Sequence, residues 1–226
     1  MIERILEPEA MDSADEAREY DLMDHVAVNA RFAADLLAAV TRAGCDPWSR
    51  GFVIDVGAGT ARIPIELCRQ EPLSRVVGVD LAREMLIVGR KNVADAALAS
   101  RIALLQASVV ALPFHDGCAP LIASNSLIHH VPDSAAALRD MCRVVSTGGI
   151  VFVRDLFRPE SRAELDRLVG VHATDATPGQ RQLLADSLHA ALTVEEVRGI
   201  VRTLPLDAVS VEATSDRHWT LAARRR

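Results

Sequence analysis

The chain has 226 residues, half of them hydrophobic, which is enough for one domain with a sizeable core and excludes a disordered chain. A formal charge of −6 with no Lys/Arg-rich face argues against a nucleic-acid substrate, and Arg224-Arg225-Arg226 reads as a solvated tail. No apolar stretch approaches the roughly 20 residues needed to cross a bilayer; Met1-Ile2-Glu3-Arg4 lacks a secretion-signal pattern, and Cys45, Cys68, Cys118 and Cys142 are scattered without a CxxC, so a cytoplasmic protein with reduced thiols is expected.

Residues 1–45 are helical in character, with amphipathic segments at 8–24 and 26–43. The second repeats Val28, Phe32, Leu36, Leu37 and Val40 at helical spacing and ends at Gly44 and Asp46-Pro47. Tyr20, Met23, His25, Asn29 and Arg31 cluster in this region. They form either a solvated face or part of a lid over a ligand. From residue 52 the pattern alternates. Strands are predicted at 52–56, 75–79, 102–106, 119–124 and 150–154, and helices at 60–71, 83–96 and 134–145. Continuously apolar strands separated by helices indicate a parallel sheet covered on both faces. Residues 160–204 read as helical, broken at Thr177-Pro178-Gly179 and restarted by the capping pair Thr193 and Glu196. Two final strands, 207–213 and 217–223, follow each other closely enough to pair antiparallel. The expected division is a helical cap (1–45), a cofactor-binding core (50–155), a helical insertion on the substrate side (156–204) and a C-terminal hairpin (205–226).

Residues 52–61, Phe-Val-Ile-Asp-Val-Gly-Ala-Gly-Thr-Ala, hold the chemistry. An apolar strand ends in Asp55 and turns through Gly57 and Gly59, where missing Cβ atoms let a ligand approach the backbone. Thr60 can cap the next helix, and Pro64 falls in its first turn. About 20 residues beyond the turn, Asp80 closes a second apolar run, the spacing at which a carboxylate meets the ribose of a nucleoside cofactor. Asp80 could otherwise simply cap the helix after it. A dinucleotide site would place a third glycine at 62, where the chain has Arg62. That weakens the alternative of an NAD(P)-dependent oxidoreductase.

The stretch Asp55-Val56-Gly57-Ala58-Gly59-Thr60-Ala61 resembles the first motif of class I S-adenosylmethionine-dependent methyltransferases. Four further segments follow in family order: Val77-Gly78-Val79-Asp80-Leu81 with Met85-Leu86; Ala111-Leu112-Pro113-Phe114; Ser126 to Asp133, with its His129-His130 pair; and Arg143 to Gly149. Small-molecule methyltransferases of the ubiquinone-biosynthesis type are the nearest likeness. The resemblance implies a Rossmann-like three-layer α/β sandwich. Its mostly parallel seven-stranded sheet would have an antiparallel C-terminal strand, under an N-terminal helical cap. It implies S-adenosyl-L-methionine as cofactor. Asp55, Gly57 and Gly59 would surround its amino-acid end. Asp80 would bind the ribose hydroxyls, with Leu81, in the segment that continues to Met85, on the adenine. Ser108 stands where the family often has an acid near the adenine amino group, with the Val109 N–H as substitute. Asn125 would lie near the methionine part, and Tyr20 would close over it.

Methyl transfer is an in-line displacement in which the protein supplies alignment. A hydroxyl or acidic-carbon acceptor is helped by a base, and His129 or His130 is suited to that task. The structural alternative is that His129 hydrogen-bonds its turn and His130 is partly exposed. His129, His130, Asp133 and Asp155 show no metal-binding spacing, so no metal is expected. The expected partner is a small-molecule methyl acceptor, and the chain is expected to be a monomer or homodimer. A non-catalytic S-adenosylmethionine-binding regulatory protein is the other alternative, kept open by Ala61 and Ser108.

Overall fold

The computed structural model describes residues 2–7, 12–23, 25–174 and 176–226. Among them, seven strands form one sheet in the order β3-β2-β1-β4-β5-β7-β6. The strands are β1 (Val53–Val56), β2 (Val76–Asp80), β3 (Ile102–Gln106), β4 (Ala119–Asn125), β5 (Val145–Leu156), β6 (Leu206–Ala213) and β7 (His218–Arg225). β1 to β5 run parallel. β7 runs antiparallel to both of its neighbours, β5 and β6. The expected mostly parallel sheet with a reversed C-terminal strand is borne out.

Burial explains the order. β1 is buried at every position, and β4 at all but its last, as strands covered on both faces must be. The helices are α1 (Ala14–Leu22), α2 (Val26–Arg42), α3 (Arg62–Gln70), α4 (Arg83–Asp95), α5 (Ser134–Val144), α6 (Arg162–His172), α7 (Pro178–Ala190) and α8 (Val194–Val201). On one face, Phe32 and Leu36 of α2 and Ile65 of α3 pack with Val53, Leu121 and Phe152. On the other, Leu138 and Met141 of α5 and Val197 of α8 pack with Ile54, Ile122, Val151 and Trp219. These three layers are the predicted sandwich.

Some boundaries differ from the sequence reading. α1 begins at Ala14, because Ser13 caps it and Glu16 closes the capping box; residues 8–11 of the expected helix lie outside the described residues. α3 begins after Ala61, which holds a left-handed backbone (φ 64°) and makes no side-chain cap, so Thr60 is not the cap. β5 starts at Val145 instead of 150. Gly149 permits this early pairing, since a Cβ there would stand 2.8 Å from the Pro120 carbonyl oxygen. Thr193 caps α8 as its sequence indicates, and Thr177, at the expected break, caps α7.

Strand order reverses between β1 and β4. Ligands in open α/β sheets bind beyond the carboxyl ends of the strands at such a switch point. The glycine turn leaves β1 there, and Asn125 ends β4 beside it.

Candidate functional site

Asp55 is buried on β1, and neither carboxylate oxygen has a hydrogen-bond partner. Burial and the nearby Asp80 charge push its pKa up to about 8. An unpartnered buried carboxyl is costly, and its persistence at a crevice points to an incoming donor. The following turn passes through left-handed backbone at Gly57 (φ 78°) and Gly59 (φ 51°). A Cβ on Gly57 would meet the Leu127 Cβ at 2.9 Å.

Asp80 fastens the turn. Its Oδ2 accepts the Gly59 N–H at 2.7 Å, and its Oδ1 accepts the Ala82 N–H at 2.9 Å. The N-cap position of α4 is Ala82, with no side-chain cap, so Asp80 is not a simple helix cap. Burial raises the pKa of Asp80, against these backbone hydrogen bonds, which lower it. Each oxygen retains acceptor capacity for a further donor.

Tyr20 of α1 lies over the turn. Its Cε1 is the nearest atom to a Cβ built on Gly59, at 3.9 Å. Burial, then the Asp80 and Asp21 charges, raise its pKa. Met85 is buried with Ala17 and Ala82, and Tyr20 packs against this group, so α1 is seated on α4. Sequence reasoning missed the tie that fixes this lid. Arg62 donates to both oxygens of Asp21, at 2.9 and 2.7 Å. Asn92 joins Asp21 to the Thr60 carbonyl. Arg62 is thus held by α1. Nothing in its spacing revealed the partner 41 residues away.

On the far side of Asp80, Leu81 is about half exposed, and Gln106 donates to its carbonyl. Ala107 N–H donates to the Asp80 carbonyl and brings the next turn alongside. There Val109 is buried in the core, and Ser108 Oγ accepts the Val110 N–H at 3.4 Å. Asn125 Oδ1 is buried without a hydrogen-bond partner. Leu112 and Phe114, from one motif, are tied to Arg143, from another, whose guanidinium donates to both carbonyls.

Beyond β4, Ser126 takes a left-handed backbone (φ 55°) and turns the chain into His129 and His130. The two rings lie 4.0 Å apart. His129 is buried, and its Nδ1 donates to Asp155 Oδ1 at 2.5 Å. Asp155 also accepts the N–H groups of Ile128 and Leu156. Burial pulls the His129 pKa down, but the Asp155 charge and hydrogen bond outweigh it, and the net shift is upward. Burial likewise raises Asp155, and His129 with the Leu156 N–H more than reverses it, leaving the carboxyl below its usual range. The two side chains form a buried, hydrogen-bonded pair. His130 is partly exposed, as the structural alternative holds, and its Nδ1 stands 3.2 Å from Glu7 Oε2. Glu7 is a residue the sequence reading missed. The ligand-type atoms of Glu7, His129 and His130 all lie within 4.8 Å of one another. Asp133 instead caps α5 by accepting the Ala136 N–H. Arg31 pairs with Asp35 on the surface of α2. Among the described residues, no helix is long and apolar enough to cross a membrane.

Residues 54–153 match the family model described as a methyltransferase domain. A ubiquinone/menaquinone biosynthesis C-methyltransferase of Geobacter sulfurreducens is 36% identical over 120 residues, 52% of this chain and 47% of that one. The chain spans about half the length of the curated relatives it matches. Over nearly its whole length it shares its fold with two solved structures. One, from Methanococcus maripaludis, is provisionally assigned as an S-adenosyl-L-methionine-dependent methyltransferase (TM-score 0.69, 20% identity, 98% of each chain). The other is a SAM-dependent methyltransferase from Aquifex aeolicus (TM-score 0.68, 15% identity, 95% of this chain and 99% of that one).

Proposed function

We propose that the chain is an S-adenosylmethionine-dependent methyltransferase and transfers the methyl group of S-adenosyl-L-methionine to a small-molecule acceptor, a reading supported by the methyltransferase-domain match over residues 54–153 and by the shared fold. The observation that carries this reading is Asp55. A buried carboxylate with two unpartnered oxygens suits a ligand that brings a cationic amine, such as the amino-acid end of this cofactor. A dinucleotide would bring its anionic pyrophosphate to the same turn, beside Asp55 and Asp80, while Arg62 is engaged by Asp21. The nicotinamide alternative is therefore not favoured.

In this reading Asp55 and Asn125 hold the amino-acid end, and Gly57 and Gly59 let it reach the backbone. Asp80 accepts from the ribose hydroxyls, Leu81 lies against the adenine, and Ser108 and Val109 border it. Tyr20, with Met85 beneath it, closes the site. The bound cofactor supplies an electrophilic methyl on a sulfonium, and the protein's task is alignment. His129 is held by Asp155, so His130, partly exposed beside Glu7, is the ring placed to assist proton loss from the acceptor, as a base or through what it binds. The helices of residues 156–204 and the N-terminal segment border the acceptor side. The relatives' names make quinol-type aromatic compounds the first acceptors to try. The four free cysteines support a reducing compartment such as the cytoplasm.

A thermal-shift titration with S-adenosylmethionine, S-adenosylhomocysteine, NADH and NADPH tests the cofactor. The two adenosyl sulfur ligands alone should stabilise the fold, by about 2.7 kcal/mol at one hundred times the dissociation constant. Stabilisation by a nicotinamide cofactor alone would overturn the reading. His130→Ala should slow labelled methyl transfer by about 10²- to 10⁴-fold while leaving S-adenosylhomocysteine affinity unchanged; full turnover in that variant would remove the base.

A further inference from the structure

The segment 2–7 is anchored across the mouth of β4 and β5. Ile5 N–H donates to the His189 carbonyl at 3.2 Å. Arg4 donates to the Ala190 carbonyl at 2.7 Å and to Ser134 Oγ at 3.2 Å. These bonds deliver Glu7 to the histidine pair. The Glu7 side chain is only 7% exposed, and its Oε1 has no hydrogen-bond partner. Its Oε2 meets His130, and His129 lies in the same group of ligand-type atoms, none more than 4.8 Å from another. Asp155 holds His129 through Nδ1, which leaves Nε2 as the coordinating atom.

We propose that Glu7, His129 and His130 form a binding site for one first-row divalent cation, Zn²⁺ foremost, with Asp155 orienting His129. Two imidazoles and a carboxylate are a three-ligand set that leaves one position open. Metal-binding histidines commonly donate their other ring N–H to a carboxylate, as His129 does to Asp155. With metal–ligand bonds of about 2.0–2.1 Å, ligand atoms in a tetrahedron lie about 3.3 Å apart. The His130–Glu7 separation of 3.2 Å already has that value. The other separations, at most 4.8 Å, would have to shorten on binding. A shared cation gives the buried Glu7 carboxylate a further partner beside His130 and Ser187 and lets two tilted imidazoles serve as ligands. Binding releases any proton that His129 or His130 carries.

Cation binding stands independently of the proposed methyl transfer. What the cation does rests on that reading. Its open position faces the region beyond β4 and β5, where it would take an oxygen of the acceptor, a hydroxyl or enol, and favour its deprotonated form. The acceptor class is thereby narrowed to one with an oxygen next to the methylated atom.

The test uses the full chain, stripped with EDTA and dialysed, then titrated with ZnCl₂ in a calorimeter and with Co²⁺ by visible absorption. One Zn²⁺ per chain with micromolar or tighter affinity is expected, and a Co²⁺ band typical of four-coordinate nitrogen and oxygen ligands. Glu7→Gln and His130→Ala should each weaken binding at least tenfold, Asp155→Asn by about 10- to 100-fold, and His115→Ala, an exposed control, not at all. No stoichiometric uptake would overturn the proposal, as would uptake equal in His130→Ala and His115→Ala. S-adenosylhomocysteine titrated into the same samples separates the two readings. Its binding without zinc uptake defeats the cation site alone, and zinc uptake without its binding defeats the cofactor assignment alone.

Discussion

The two acidic residues one short of the ends of β1 and β5, Asp55 and Asp155, are both buried, yet they live in opposite electrostatic worlds. Asp155 is paired with His129 and accepts backbone N–H groups, and its pKa lies below the ordinary range. Asp55 has no partner, faces a second carboxylate, and has its pKa pushed up to about 8. A buried charge that is fully paired holds a shape; one left unpaired marks where a ligand completes the structure. The cofactor side of this crevice is thus unfinished before the ligand arrives, and the acceptor side is already braced.

Substitutions sharpen that contrast. The largest effect is expected for Asp155→Ala, which leaves the buried His129 ring and the Ile128 and Leu156 N–H groups without their partner and should cost about 3–5 kcal/mol in chemical denaturation. A loss below about 1 kcal/mol would mean that the pair does no bracing. Asp55→Asn should move stability the other way. Asp55 ionises near the ordinary aspartate value of 3.8 when unfolded and near about 8 when folded. The fold keeps a proton that the unfolded chain has lost, so stability falls by about 1.4 kcal/mol per pH unit between those limits. Removing the charge should stabilise the ligand-free protein by about 1–3 kcal/mol at pH 8, flatten that pH dependence, and weaken S-adenosylhomocysteine binding. Destabilisation at pH 8 would show that Asp55 has a partner in solution. Asp80→Ala should weaken the same ligand by about 1–3 kcal/mol, with unchanged affinity in calorimetry confining Asp80 to its backbone bonds. The smallest effect is Gly57→Ala, which forces a Cβ against Leu127 in left-handed backbone and should lower stability by about 1–2 kcal/mol. An unchanged melting temperature would mean the turn can relax.

Much of this was legible in the residues. The largely apolar runs at 52–56 and 119–124 pointed to strands, and the turn at Gly57 and Gly59 located the crevice, because backbone geometry and burial are written locally. Long-range pairing was not. Asp21 and Arg62 find each other across 41 residues, and Glu7 finds His130 only because Arg4 and Ile5 are pinned to the end of α7. No periodicity encodes such contacts. The early start of β5 was hidden for a related reason: Gly148-Gly149 reads as a turn by composition, while the structure uses Gly149 for close passage beside Pro120. The missed start of α1 had a local sign, Ser13 and Glu16 at capping-box spacing.

The most direct test is calorimetric titration with S-adenosylhomocysteine at pH 6 and pH 8, in buffers of different ionisation enthalpy. If Asp55 receives the cofactor's amine, binding ionises it. Affinity should then be tens of times tighter at pH 8, on the order of 50-fold for a folded pKa of about 8, and a proton should be released near neutral pH. Binding of equal strength at both pH values with no proton exchange, or no binding at all, would contradict the account.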